Sequence, residues 1–482
     1  MNRAALPLAV LAALAQARGE EGREASLEVT TDLLYRRNLL ATGPAPPREP
    51  GSRPHQVQAS LSLMGSLGPW SGGLTARDVN CYRQDPNLTL PRTTATVYRR
   101  YLRWDRSPRT LQGGDLNTLM GRGMLLSVVD SPALLKEEAL DGFDGRYRAG
   151  RIELHGLSGT VTPESQDQSW RVAGGEADLE YLRGQHLGLA ACTIQDGRLP
   201  RFGIPVGLRQ GCTVHLSGSF AAGSLNYYLE RGWIDFRDRR PLPFPSRVDP
   251  TRGEAAYGNL SFHHKAWYLM AEAKAYTNFD TALNNPPLAD RDTEKNDLYD
   301  GSGRRLYVQY AFPEPDLTLF LSAGRYREET WDGQNVYGGF KLQDLFDRLD
   351  LACTYGLKTV RYPEKKSNLA LTWRLTPLWS LGLTRWDKRN HPPGAPAYQE
   401  TDVTVQVARS PRLAVYVTQQ RSSLPVFDAT RLYCGGIRIN LKEDSYLELS
   451  GGRQRGGEAC AGGQCAILPP FRGWKLAAHV RW

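Results

Sequence analysis

The stretch TVYRRYLRWDR (96–106) gathers cations where they could act on a passing ion. Successive side chains of a β-strand point to opposite faces. If Leu102 and Trp104 face an apolar medium, then Arg99, Tyr101 and Arg103 face the other way. A row of guanidinium groups along an aqueous wall attracts anions and sets selectivity. Arg122, in GRG (121–123), and Arg146 and Arg148, in GRYRAG (145–150), extend this candidate wall. The competing reading is structural: such arginines pair with acids such as Glu230 or Glu272.

Other chemistry finds less support. The eight histidines are dispersed, and none lies in an H-E-x-x-H or G-x-S-x-G context, so no enzymatic role is expected. The acidic loop ADRDTEKNDLYDGSG (289–303) offers oxygens for calcium, but Lys295 stands where an EF-hand needs glycine, and it reads as a solvated loop. No cofactor is expected, and with no Cys-x-x-Cys-His in the sequence covalent binding of c-type haem is not expected either. Of the seven cysteines only Cys460 and Cys465 are close, in GGEACAGGQCAILPP. In an oxidising compartment they read as a small disulfide loop, with unpaired thiols and a metal site as the alternatives.

The elements that position these residues are strands. From residue 25 onward polar and apolar residues alternate in pieces of about 8–12 residues. DVTVQVAR sets Val403, Val405 and Val407 against Thr404 and Gln406. RLYVQYAF sets Leu306, Val308, Tyr310 and Phe312 against Arg305, Tyr307 and Gln309. The apolar face is continuous and carries aromatics near strand ends, including Trp267, Phe312, Trp373 and Trp474. About ten tilted residues cover roughly 23 Å, the height of the apolar band of a membrane barrel. Short and long links alternate. KED (442–444), Ser410, Thr376-Pro377, PEPD (313–316), Lys265, AAG (221–223), RGQH (183–186), Ala149-Gly150 and LGPW (67–70) are short. The stretches 37–55, 196–210, 236–253, 278–303, 388–399 and 455–472 are long. The expectation is all-β: one closed antiparallel transmembrane β-barrel of about 22–24 strands, with short periplasmic turns, long extracellular loops and both termini periplasmic. Residues 107–148 break the rhythm, supply two strands or fold into the lumen, and are the candidate constriction. Two further segments do not alternate cleanly: LYCGGIRIN (432–440) changes phase and WSLGLTRW (379–386) has a poor polar face.

The N-terminus reads as an export signal over residues 1–17, with Arg3, the apolar run Ala4–Ala15 and a small-x-small site at Ala15–Ala17. Residues 18–482 are then the barrel, in the outer membrane of a Gram-negative cell, and they leave no room for an N-terminal plug. The formal net charge is +9, and the basic residues are scattered, which excludes a nucleic-acid interface as the main reading. The excess biases a pore towards anions, neutralises lipopolysaccharide phosphates or is for the most part solvated surface; membrane lipid and lipopolysaccharide are expected partners.

The terminal GWKLAAHVRW places Trp474, Leu476, Ala478, Val480 and Trp482 on one face. This tail resembles the C-terminal aromatic signal by which outer-membrane proteins are recognised, which implies the barrel-assembly machinery as a partner. The stretches TLQGGDLNTLMGRGMLL (110–126), ALDGFDGRYRAGRIELHGLSG (139–159) and the loop 455–473 resemble a group of large outer-membrane barrels catalogued as a domain of unknown function. That resemblance implies barrel and location, and transfers no substrate and no catalytic residue. The functional expectation is a porin-like channel for small solutes, leaning towards anions. The alternative is a sheath around a lumen-filling partner such as a multihaem cytochrome, because so wide a barrel leaks unless something fills it.

Overall fold

The computed structural model describes residues 25–38, 55–81, 92–128, 139–161, 169–196, 208–220, 224–237, 252–279, 283, 301–328, 331–359, 363–391, 396–426, 429–442, 444–455, 457–461, 464–468 and 471–481. Its main sheet has 24 strands. Each strand runs antiparallel to the next one in the chain. The first, Ala25–Asn38, pairs with both the second and the last, Phe471–Arg481, in a register running from Thr30↔Arg481 to Asn38↔Gly473. The sheet is therefore a closed barrel. Closure is what a membrane demands, since an open edge would leave backbone groups unpaired in hydrocarbon. With strands about 4.8 Å apart and tilted about 40°, such a ring is roughly 45–50 Å across.

One face repeats from strand to strand. Leu306 opposes Ala323 and Ala271, and Val405 opposes Leu383 and Val417. Leu306, Leu321, Val417 and Leu449 are more than half exposed, as lipid-facing residues of a lone barrel must be. Aromatic rings cluster on this face near the short-turn end: Trp70 lies 6.4 Å from Trp104, and Tyr310 lies 4.6 Å from Trp267 and 4.5 Å from Phe312. The other face is polar. Ser62 meets Thr75 at 3.0 Å, Thr404 meets Thr418 at 2.8 Å, and Arg305 donates to Glu272 at 3.5 Å.

The seam obeys the same rule. Trp474, Leu476, Ala478 and Val480 share the outward face, and the Trp474 ring sits 4.7 Å from that of Tyr35. Inside, His479 Nδ1 lies 2.6 Å from Asp32 Oδ1, while Arg481 reaches Glu28 at 2.8 Å and Asp444 at 3.0 Å. Trp482 lies outside the described residues.

Two short turns complete the set at one end, at Ser107-Pro108 and at Phe346–Arg348. At the other end, link length is less regular than the sequence implies. The links 329–330, 360–362 and 427–428 are only two or three residues long. Nothing in the bilayer fixes loop length, since a link only has to clear the hydrocarbon. The phase change in LYCGGIRIN is absent from the backbone: its register with Ser445–Gln454 is continuous from Cys434 to Asn440. The apparent slip arises because Leu432 and Cys434 are apolar residues pointing inward.

Residues 107–148 do both things open to them. Arg109–Leu116 and Leu140–Ala149 pair as barrel strands. Between them, Thr118–Met120 and Leu126–Val128 form a two-stranded hairpin joined through a single 3₁₀ turn at Gly121–Gly123. The face assignment makes a direct prediction. Val405→Arg places a cation in lipid and should cost about 2–4 kcal/mol, while Gln406→Arg, one residue on and inside, should cost less than about 1 kcal/mol. Urea unfolding of the barrel in lipid vesicles measures both; equal costs would mean the faces are wrongly assigned.

Candidate functional site: the lumen and its inward fold

The hairpin 118–128 lies on the polar side of the sheet, hence within the lumen, and it is packed down hard. Met120, Met124, Leu125, Leu126 and Val128 are fully buried. They pack with inward side chains of the wall, among them Val161, Val172, Ile194, Ile234 and Phe236. Small residues make the room. A Cβ at Gly174 would press on the Met120 sulfur, and one at Gly211 on Leu125. Backbone bonds add to the anchoring: Ser127 N–H donates to the Leu283 carbonyl at 2.6 Å, and the Cys192 thiol points at the Leu125 carbonyl at 3.8 Å. Each buried aliphatic side chain is worth about 1.5–3 kcal/mol. The lumen is therefore not wet throughout, as uniform alternation implies. Along this wall its upper part is a dry core.

The turn at the tip is left-handed, with φ of 56° at Gly121, 44° at Arg122 and 84° at Gly123. Glycine adopts this region without strain, and a Cβ at Gly121 would overlap the Glu230 carboxylate. The tip thereby delivers Arg122 onto the Tyr228 ring, with its guanidinium carbon 3.9 Å from the centroid. Tyr228 donates to Glu230 Oε2 at 2.6 Å and stacks on His215 with centroids 5.6 Å apart. Asp178 joins His186 at 2.6 Å and His215 at 3.2 Å. Further round, Tyr257 donates to Glu272 at 2.9 Å, and Arg305 bonds Glu272, Ser322 and Tyr337. A polar belt thus runs round part of the lumen beneath the inward fold. The sequence hides it, because its members sit on different strands and meet only through register.

The predicted wall divides. Arg99, Tyr101 and Arg103 share the inward face, Tyr101 filling the space above Gly73. Arg99 donates to Asn117 at 3.5 Å, and Arg103 pairs with Asp105. Arg146 and Arg148 lie two strands away. Arg146 is 3.7 Å from Asp144, which also holds His155 at 2.6 Å, and Arg148 pairs with Glu153. These four arginines line one sector of wall. Arg122 belongs to another, against Tyr228. Glu272 does pair with an arginine, but with Arg305.

A second constellation on a different sector was not anticipated. Arg455 lies 3.0 Å from Glu400 and 3.4 Å from Asp402, and its backbone N–H donates to Gln420 at 2.9 Å. Glu364 stands between Lys366 at 3.2 Å and Lys388 at 3.3 Å. Cys460 and Cys465 are directly paired residues of the small hairpin Gly457–Ala461 and Gln464–Leu468, and their side chains lie outside the described residues. Among the described residues, no group of three or more His, Cys, Asp or Glu side chains is placed to hold a metal ion. The acidic loop 289–300 lies outside the described residues.

No family model matches the chain, and no curated protein matches it either. Among solved structures it aligns over 94% of its length with a chain of the Escherichia coli P pilus tip assembly intermediate PapC-PapD-PapK-PapG, at 9% identity and TM-score 0.54. It spans only 60% of that chain. It also aligns with the ferric citrate transporter FecA, over 95% of this chain and 79% of that one, at 8% identity and TM-score 0.46. A third likeness is to Pseudomonas aeruginosa OpdK with vanillate, over 80% of this chain and 98% of that one, at 13% identity and TM-score 0.40. At such identities the likeness is one of fold, that of an outer-membrane β-barrel.

The packing of the inward fold is testable through Cys192, which is 5% exposed. In a variant retaining only this cysteine, a water-soluble maleimide should label it slowly. Leu125→Ala should destabilise the barrel by about 2–4 kcal/mol and raise the labelling rate at least tenfold. An unchanged rate would show that the hairpin does not cover this wall.

Proposed function

We propose that the chain is an outer-membrane channel through which small polar solutes diffuse. The observation that carries this reading is a closed ring of 24 strands with a polar inner face, narrowed from one wall by the fixed hairpin 118–128. A hairpin pinned by a dry core behaves as a permanent constriction and not as a lid. The charge lining the remaining lumen gives a lean towards anions, through Arg99, Arg103, Arg146 and Arg148. Each has an acid or amide neighbour, so the lean is modest. No catalytic role is assigned. Within this proposal residues 1–17 are a cleaved export signal, residues 18–482 the barrel, the short turns periplasmic, and the C-terminal face the mark read by the assembly machinery. The resemblance to barrels of unknown function belongs to the same proposal.

A second reading keeps the barrel and changes its contents. The hairpin is anchored to wall strands that carry Val161, Val172, Ile194, Ile234 and Tyr276, while the ring has 24 strands. A lumen that wide has space for a partner protein along the opposite wall. Co-purification of a haem protein with the native barrel favours this sheath.

Single-channel recording of the pure protein decides between them. A channel gives steady ohmic steps, and a sheath without its partner gives large, unselective ones. Arg99→Glu with Arg103→Glu should reduce the anion-to-cation permeability ratio by about two- to fivefold, reading reversal potentials in a salt gradient. Unchanged selectivity would remove these residues from the permeation path.

A further inference from the structure

On the outward face, near the long-link end, cations stand directly opposite one another. Arg304 pairs across strands with Arg325, Lys365 with Arg389, Arg421 with Arg431, and Arg453 with Arg472. Directly opposed side chains have Cβ atoms about 4.5–5.5 Å apart, and like charges there are destabilising. The cations lie just past the apolar band. Each of Arg304, Arg421 and Arg431 stands two or four residues beyond an outward Leu306, Val417 or Tyr433, all more than half exposed.

Elsewhere the protein neutralises such crowding itself. Inside the lumen Lys366 opposes Lys388, and Glu364 sits between them with one oxygen on each. On the outward face of the far arc, Arg252 opposes Asp235 at 3.7 Å, Arg231 reaches Glu254 at 3.5 Å, and Arg100 takes Asp141 at 3.0 Å. Arg325 has Asp332 at 3.7 Å. Among the described residues no carboxylate lies within ion-pair distance of Lys365, Arg389, Arg421 or Arg431, and all four are exposed. Asp387, on the same face two residues from Arg389, is held instead by Arg385 at 2.7 Å and by the Thr401 hydroxyl at 2.7 Å. Lys365 and Lys366 are neighbours in sequence. The inner one has its carboxylate and the outer one has none.

We propose that Lys365, Arg389, Arg421 and Arg431 form a binding site for the phosphorylated headgroup of an outer-leaflet glycolipid, each opposed pair taking one phosphate. Guanidinium and ammonium groups grip phosphate through charge-assisted hydrogen bonds. The centres of the two pairs are three strand spacings apart, about 14 Å, with only Gln399 and Thr401 presented outward from the one strand between them near this end. Acyl chains then lie along the Val403, Val405, Val415 and Val417 surface directly below. That geometry selects a lipid over free phosphate, which an exposed site in screened water holds weakly. The site is independent of what passes through the lumen.

The test uses the full chain in zwitterionic micelles, titrated with bisphosphorylated lipid A, dephosphorylated lipid A and inorganic phosphate, with bound lipid counted by native mass spectrometry. Lys365→Gln with Arg389→Gln, and separately Arg421→Gln with Arg431→Gln, should each weaken binding of the bisphosphorylated form about tenfold. The quadruple variant should bind no better than the dephosphorylated lipid binds the parent. Arg231→Gln with Arg252→Gln on the far arc should change nothing. Equal binding of the dephosphorylated lipid, displacement by inorganic phosphate at comparable concentration, or full binding by the quadruple variant would each overturn the site. Retained heat-modifiable mobility of every variant confirms that a loss is not a loss of fold.

Discussion

A backbone N–H or C=O exposed to hydrocarbon costs several kcal/mol, and that constraint governs the whole molecule. A sheet in lipid can have no edge, so the strand Ala25–Asn38 must meet Phe471–Arg481. Once the ring closes through successive antiparallel neighbours, an even strand number and both chain ends at one rim follow. So does the division of every strand into one face for lipid and one for the lumen. The seam is reinforced where water reaches it: His479 on Asp32 and Arg481 on Glu28 tie the two ends of the chain together from inside.

Closure creates a second problem, a bore too wide to be filled by wall side chains alone. The chain meets it locally. A link between two neighbouring strands turns inward and dries out one sector of wall, exchanging polar inward residues for Val161, Val172, Ile194 and Ile234. Gly174 and Gly211 admit the incoming side chains, and the left-handed Gly121–Gly123 turn reverses the link over the carboxylate of Glu230. The transition from dry core to polar belt occurs at Arg122, whose guanidinium covers Tyr228.

Charge is organised by register more than by composition. Opposed cations inside the lumen share a carboxylate, as Lys366 and Lys388 share Glu364. Opposed cations outside, on one arc, do not, while the other arc is balanced by Asp235, Glu254 and Asp141. Among the described residues the cations are therefore balanced unevenly, with the unpaired Lys365, Arg389, Arg421 and Arg431 gathered on one outward arc.

The period-two pattern alone determined the barrel, its approximate strand number and the facing of Trp267, Leu306, Val405 and Trp474, because alternation is a local property imposed by lipid on each strand. It also marked 107–148 as irregular and put Arg99, Tyr101 and Arg103 on the inner wall. Only the tertiary structure decided which residues meet. Tyr228, Glu230, His215 and Asp178 come from three strands, and Arg455 meets Glu400 and Asp402 from just beyond the end of Ser445–Gln454. Such contacts depend on the stagger between strands and on where a link folds, and neither leaves a trace in the spacing of residues along one chain. Leu432 and Cys434, which seemed to break the pattern, show the same limit: a strand is read correctly from its own sequence only where what lies across from it is lipid on one side and water on the other.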